Sequence, residues 1–297
     1  MANTDLTVEA FILLREMFFD RKGKPKSFKL RDKQNTQDDP LDEYLTATLT
    51  SQLVDATCEK SSGPLISPDL VIYRPDLCNT AARASLRDDT QRIVALEVKK
   101  LERAETGKIA RASGMDYNTT PPCGIVRIYD RTNQPLDVRG FYLFVAQEEV
   151  SKTNYIVSAL ALCDGNVLNE DFDLYLRITS QREKEIGLGT YANGANRNRP
   201  MLIFANPLGT PEFDKAATLV SSKNHSETDS RVSLAYTIKR TTSNGEKRVF
   251  YALRLRDDLT SDWGKRILLD PFPQPANRVG ATQARGKFKV SIQPKDD

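Results

Sequence analysis

The chain has 297 residues, 39% of them hydrophobic and 28% charged, enough to bury a sizeable core as one large soluble domain or two small ones. Forty-three Lys and Arg against 40 Asp and Glu leave a net charge of +3, so the total carries no signature of nucleic-acid binding and any such footprint must come from local clustering. Four scattered cysteines (Cys58, Cys78, Cys123 and Cys163) and the lone His225 argue against a zinc ribbon or finger and against a secreted disulfide scaffold, and the longest apolar runs are far short of a membrane span.

Residues 5–19 read as a helix capped by Asp5 or Thr4, with Leu6, Ala10, Leu13, Leu14 and Met17 at helical spacing. The basic stretch 22–33 suits either a solvated loop or a mobile arm on DNA. Asp39-Pro40 is an N-cap followed by proline at the first helical position, and it opens a second helix running to about residue 57 on a stripe of Leu41, Leu45, Leu49 and Leu53. Asp42 and Glu43 occupy its first turn, where negative charge also complements the helix dipole.

Two apolar strands follow, each carrying acid. Ser67-Pro68-Asp69 leads into Leu70-Val71-Ile72-Tyr73, and Val94-Ala95-Leu96 leads into Glu97-Val98-Lys99. Alternation puts Glu97 and Lys99 on one side of their strand, and strand pairing is all that Asp69 needs to join them. A charge set into a buried strand is costly without a partner or a metal. Two carboxylates can hold a divalent cation, and a lysine beside them can orient water or offset charge on a phosphate. The bare pattern also arises by chance, and the apolar context on both sides is what gives it weight.

In these residues, Pro68-Asp69, 27 intervening residues and then Glu97-Val98-Lys99, the chain resembles the PD-(D/E)xK nuclease superfamily, to which type II restriction endonucleases belong. The resemblance covers about residues 64–101. It implies that Asp69 and Glu97 bind Mg2+ and that Lys99 is the catalytic lysine. Members often supply a further acid from an upstream helix, which makes Glu43 a candidate metal-site group.

After Lys99, residues 100–112 are helix-compatible, and Lys100, Arg103, Lys108 and Arg111 fall in one broad sector suited to phosphates or simply to solvent. A rigid polar break at 116–124, including Asn118, is either a base-reading loop or a plain connection. Strands are expected at 125–129, 141–145, 156–162, 174–178 and 201–205. The loop 191–200, with Arg197 and Arg199, and the loop 221–233 hold Asn and Arg of the kind that bond base edges, although loops are polar for solubility alone. His225 reads as a surface residue, having no neighbouring nucleophile pattern. Asn244-Gly245 predicts a two-residue hairpin turn that sets Ile238 opposite Tyr251, Tyr236 opposite Leu253 and Leu234 opposite Leu255. Its second face would carry Lys239 and Arg254, a basic ribbon for a DNA groove or an ordinary half-buried hairpin. The tail 278–289 is a flexible phosphate-binding segment or simple disorder.

The expectation is therefore one elaborated domain over 1–297, an α/β fold with a restriction-endonuclease-like mixed central sheet flanked by helices. A catalytic core would span about 39–165 and a β-rich recognition region about 166–297. It implies a site-specific, Mg2+-dependent double-stranded DNA endonuclease of type II restriction character. The resemblance implies a homodimer beside a cognate DNA methyltransferase, while the cysteine usage and short apolar runs lead to the expectation of a cytoplasmic protein without membrane contact. A structure-selective or repair nuclease of the same superfamily and a non-catalytic DNA-binding protein are the alternatives. No phosphate-cradling glycine loop, hydrolase elbow or dinucleotide fingerprint points to an unrelated enzyme.

Overall fold

Asp5 opens the first helix by accepting the Thr7 N–H at 2.9 Å, and helix α1 then runs Leu6–Phe18. The computed structural model describes residues 4–35, 38–63, 66–103, 115–117, 124–168, 200–204, 206–241, 245–258, 264, 266–272, 277–279 and 288–296. Helix α2, Pro40–Gln52, starts as its cap and proline predict, with Asp39 accepting the Leu41 N–H at 3.1 Å. It ends before residue 57 because Leu53 turns extended and Thr57–Lys60 is a strand. A short helix α3 spans Pro75–Thr80.

The strands are β1 Phe28–Lys29, β2 Thr57–Lys60, β3 Leu70–Tyr73, β4 Ile93–Glu102, β5 Met115–Tyr117, β6 Ile125–Tyr129 and β7 Pro135–Ser151. They continue with β8 Asn154–Asp164, β9 Pro200–Phe204, β10 Ala217–Ser221, β11 Val232–Thr241, β12 Lys247–Leu255, β13 Arg266–Leu269 and β14 Asn277–Val279. Among the described residues eleven strands form one mixed, largely open sheet in the order β13-β11-β12-β10-β8-β7-β4-β3-β2, with β1 beside β8 and β6 beside β7. Strands β4 and β7, β8 and β10, and β11 and β13 pair in parallel. The sheet runs without a break from strands before residue 165 to strands after it, so both halves of the chain contribute to one sheet. Strands β5, β9 and β14 make a separate three-stranded sheet.

Alternation along the strands sends apolar side chains to both faces of the sheet, where the described residues bury in three clusters. One face sends Leu70, Ile72, Val94, Leu96, Leu143, Leu160, Leu162 and Leu219 against the apolar stripes of α1 and α2. Beneath the other, Val71, Tyr73, Ile93 and Ala95 meet Val126, Ile128, Phe288, Val290 and Ile292. The leucine stripe of α2 is fully covered, Leu41, Leu45 and Leu49 being at most 1% exposed, so truncating any of them is expected to cost about 2–5 kcal/mol.

Two local expectations are corrected. Residues 100–102 continue β4 and do not open a helix. Lys100 pairs with the distant Asp39 and Arg103 with Glu148 and Asp214, contacts that hold an extended backbone in place. In the late hairpin Ile238 faces Phe250, Tyr236 faces Ala252 and Thr241 faces Lys247, one step from the expected register, with an irregularity between Leu234 and Tyr236. Asn244, half of the predicted turn, lies outside the described residues. Strand β12 is interior and carries buried residues on both faces, Phe250 and Ala252 in one cluster and Leu253 with Tyr251 in another, so the polar second face expected of this hairpin is not formed there. No helix among the described residues is long and apolar enough to cross a membrane.

Candidate functional site

Asp69 immediately precedes β3. Extending the Leu70–Leu96 pairing by one residue sets it directly across from Glu97, where opposed side chains share a face at about 5 Å between Cβ atoms. The Val98 N–H donates to Asp69 Oδ2 at 2.7 Å, so the carboxylate takes over the ladder just where β3 begins. Glu97 is buried and gripped from two sides. Ser67 Oγ donates to Oε2 and Lys99 Nζ to Oε1, each at 2.7 Å. The three residues expected from the sequence motif therefore lie in one cluster, on adjacent antiparallel strands.

The third acid beside this cluster is Asp42, not Glu43. Asp42 lies in the first turn of α2 and lines, with Asp38, Asp39, Asp69, Val98, Lys60 and Lys100, a cleft of about 530 Å³. Burial, then the charges of Asp39 and Glu97, push its carboxyl from the ordinary 3.8 up to about 7. Burial and the facing Glu97 likewise hold the Asp69 carboxyl well above its usual range. Carboxylates crowded until they resist ionisation are a local excess of negative charge that a cation would relieve. Glu43 points elsewhere: it is exposed, meets Arg31 at 2.7 Å and Lys60 at 3.2 Å, and is drawn down to about 2 by those partners. A helical wheel distinguishes the two, since Asp42 stands about 60° and Glu43 about 160° from the centre of the Leu41, Leu45 and Leu49 stripe.

Among the described residues no three His, Cys, Asp or Glu side chains stand as a ready-made metal cage. The donors at hand are carboxylate oxygens from Asp42, Asp69 and Glu97, a hard set that suits Mg2+, which needs one or two carboxylates and keeps several waters. Comparison with protein-family models, with curated proteins and with solved structures returns no match.

The remaining candidates divide. Lys100 lines the cleft and pairs with the cap residue Asp39 at 3.1 Å. The Arg103 side chain is 7% exposed and bonded to Asp214 at 2.6 Å, Glu148 at 3.0 Å and Ser158 at 3.1 Å, so it ties strands together and is engaged by acids where phosphates were expected. Arg254, expected on the hairpin's basic face, is also buried: it bonds Thr218 Oγ1 and the Glu212 carbonyl and lies over the Tyr236 ring. Its burial leaves Lys239 exposed without it, and the expected two-cation ribbon is not formed. Lys108, Arg111, Asn118, Arg197 and Arg199 lie outside the described residues, as do residues 174–178. His225 is corrected from surface to interior, 5% exposed, with Nε2 3.0 Å from Ser221 Oγ.

Proposed function

We propose that the chain is a divalent-cation-dependent phosphodiesterase of the PD-(D/E)xK type, with a restriction-endonuclease-like arrangement at Asp69, Glu97 and Lys99 and duplex DNA as substrate. The observation that carries the reading is the meeting of those three side chains with Asp42 at the edge of an acidic cleft. Its described lining holds Asp38, Asp39, Asp42 and Asp69 against Lys60 and Lys100. A phosphodiester approaching four carboxylates and two amines is repelled unless a cation stands between them.

Asp69, Glu97 and Asp42 are the groups that would hold Mg2+, which when bound acts as a Lewis acid toward the scissile phosphate and activates water. The protein's own groups do the positioning. Asp69 is fixed by the Val98 amide and Glu97 by Ser67. Lys99 keeps its ammonium at 2.7 Å from Glu97, close enough to hold a water in line or to offset the charge that develops on the phosphate oxygens. Two-fold pairing of such chains would place one site on each strand of a duplex, and site specificity of the restriction kind is the finer form of the proposal. The test is incubation of supercoiled plasmid with purified protein and Mg2+. Cleavage that needs the metal and disappears in Lys99→Ala and Asp69→Asn is expected, and discrete mapped ends mark a site-specific enzyme. Metal-independent cutting, or cutting that survives both substitutions, overturns it.

A further inference from the structure

The acidic cleft lies where β3 begins and β4 finishes. At the edge where β4 begins and β8 and β10 finish there is a second cavity, about 230 Å³, lined by Thr7, Thr90, Ser221, Lys223 and His225, with Asp88, Asp164 and Arg139 also in its wall. Ser221 closes β10, and the chain turns through a 3-10 segment His225–Glu227 that returns the imidazole to the serine. Ser221 Oγ and His225 Nε2 are 3.0 Å apart, and His225 Nδ1 faces Asp5 Oδ2 at 4.0 Å. Asp5 is held from both sides: Oδ1 accepts the Thr7 N–H at 2.9 Å and Oδ2 the Thr90 hydroxyl at 2.5 Å. A carboxylate beyond Nδ1 favours the tautomer with the proton there, leaving Nε2 free to accept the serine proton.

We propose that Ser221 is the nucleophile of a second reactive site, with His225 as its general base and Asp5 positioning the imidazole, and that the site hydrolyses short carboxylic esters. Ser221 Oγ bonds to the ester carbonyl carbon while its proton passes to Nε2. The carbon–oxygen bond to the alcohol then breaks and the alcohol leaves with that proton. Water repeats the sequence on the acyl-serine, releasing the acid and restoring the hydroxyl, so ester and water give acid and alcohol with no other reagent.

Two further side chains bear on the charge that develops on the substrate oxygen. Thr7 lines the cavity, and its Oγ1 is buried without a hydrogen-bond partner. Lys223 Nζ touches only a hydroxyl, Thr90 Oγ1 at 3.3 Å, and none of the described carboxylates ion-pairs with it, so it can offset the same charge. The Lys223 N–H also donates to Ser221 Oγ at 3.1 Å, which steadies the serine and favours its alkoxide. Burial lowers the His225 pKa from 6.5, with Lys223 adding to the effect and Asp5, Asp229 and Asp164 opposing it, so the imidazole is neutral and able to accept a proton at pH 7. The cavity is smaller than the usual pocket for a drug-sized ligand, which restricts the acyl group to a short one.

The test is labelling of the full-length protein with a small alkyl fluorophosphonate, mapped by peptide mass spectrometry, alongside p-nitrophenyl acetate hydrolysis. Phosphonylation is expected at Ser221, lost in Ser221→Ala and slowed about 100-fold in His225→Gln. The wild-type rate should rise with pH as the imidazole loses its proton, and Asp5→Asn should move that rise to lower pH by removing a charge that favours the imidazolium. Native protein that is not labelled at Ser221, or labelling at equal rates on Ser222 and Ser226, overturns the proposal. If His225→Gln does not fold, the wild-type profile decides, because a rate flat between about pH 5 and 8 leaves no role for the imidazole.

Discussion

Replacing Asp42 by Asn should make the protein more stable, in a direction opposite to most substitutions in a site. The carboxyl titrates at 3.8 in ordinary surroundings and at about 7 in the folded chain, where burial and the charges of Asp39 and Glu97 penalise ionisation. The folded state thus binds a proton more tightly than the unfolded state. Its contribution is fully present below about pH 4, is lost as pH rises through about 7, and is level beyond. At about 1.4 kcal/mol for each tenfold change, the displacement corresponds to roughly 4 kcal/mol at pH 8, a ceiling because neighbouring groups relax. Asn keeps the shape and drops the charge. Thermal melts followed by circular dichroism should show Asp42→Asn up by several degrees at pH 8, near 2 °C per kcal/mol for a chain of this size, and matched to the parent near pH 3. Millimolar Mg2+ should raise the melting temperature of the parent at pH 8, and raise that of Asp42→Asn by less, since one ligand is gone. A variant that melts at or below the parent at pH 8 would refute the claim that this carboxylate is desolvated and crowded.

Lys99→Ala should lower the rate of plasmid cleavage at least about 100-fold and also lower the denaturant midpoint, since it strips the buried Glu97 of its cation, whereas Glu43→Gln, whose partners are surface cations, should cleave within about twofold of the parent. Arg103→Gln should destabilise by about 2–4 kcal/mol in urea titrations, because it strips Glu148 and Asp214 of a buried partner, yet leave the salt dependence of DNA binding unchanged; a shallower salt slope would return Arg103 to the phosphate-contacting set. Cys58, its thiol pushed up to about 12 by burial, and the fully buried Cys163 should resist a disulfide thiol reagent at pH 8 and react on unfolding in guanidinium, measured in a Cys123→Ser background.

Signals that act over a few residues were legible in the chain. Asp5 before an apolar stripe and Asp39-Pro40 before another specify where α1 and α2 start, because caps and φ restriction are local, whereas α2 stops at Gln52, more than a turn before the expected end. The strands around Asp69 and Glu97 declare themselves by short apolar runs. What misled was charge whose partner is remote. Lys100 and Arg103 look helical and solvent-facing until Asp39 and Asp214 are brought to them, the latter from 111 residues away in sequence. Arg254 is similar: a cation on an alternating strand reads as a surface residue, but the strand lies inside an eleven-stranded sheet and the guanidinium is satisfied by Thr218 and the Glu212 carbonyl.

The same distinction governs the site. Asp69, Glu97 and Lys99 could be linked because the first acid needs only an antiparallel neighbour to reach the other two, and period two does the rest. Choosing Glu43 over Asp42 passed over information already in the sequence, for the leucine stripe fixes which side of α2 turns inward, and only Asp42 lies beside it. The Asp5, Ser221 and His225 arrangement had no such handle. Its carboxylate comes from the cap of the first helix and its serine from the end of β10, so no spacing rule connects them, and the i to i+4 relation of Ser221 and His225 gains meaning only when a 3-10 turn folds the imidazole back. Chemistry assembled by one pair of neighbouring strands is readable from sequence, whereas chemistry assembled across a sheet edge becomes readable once the topology is known.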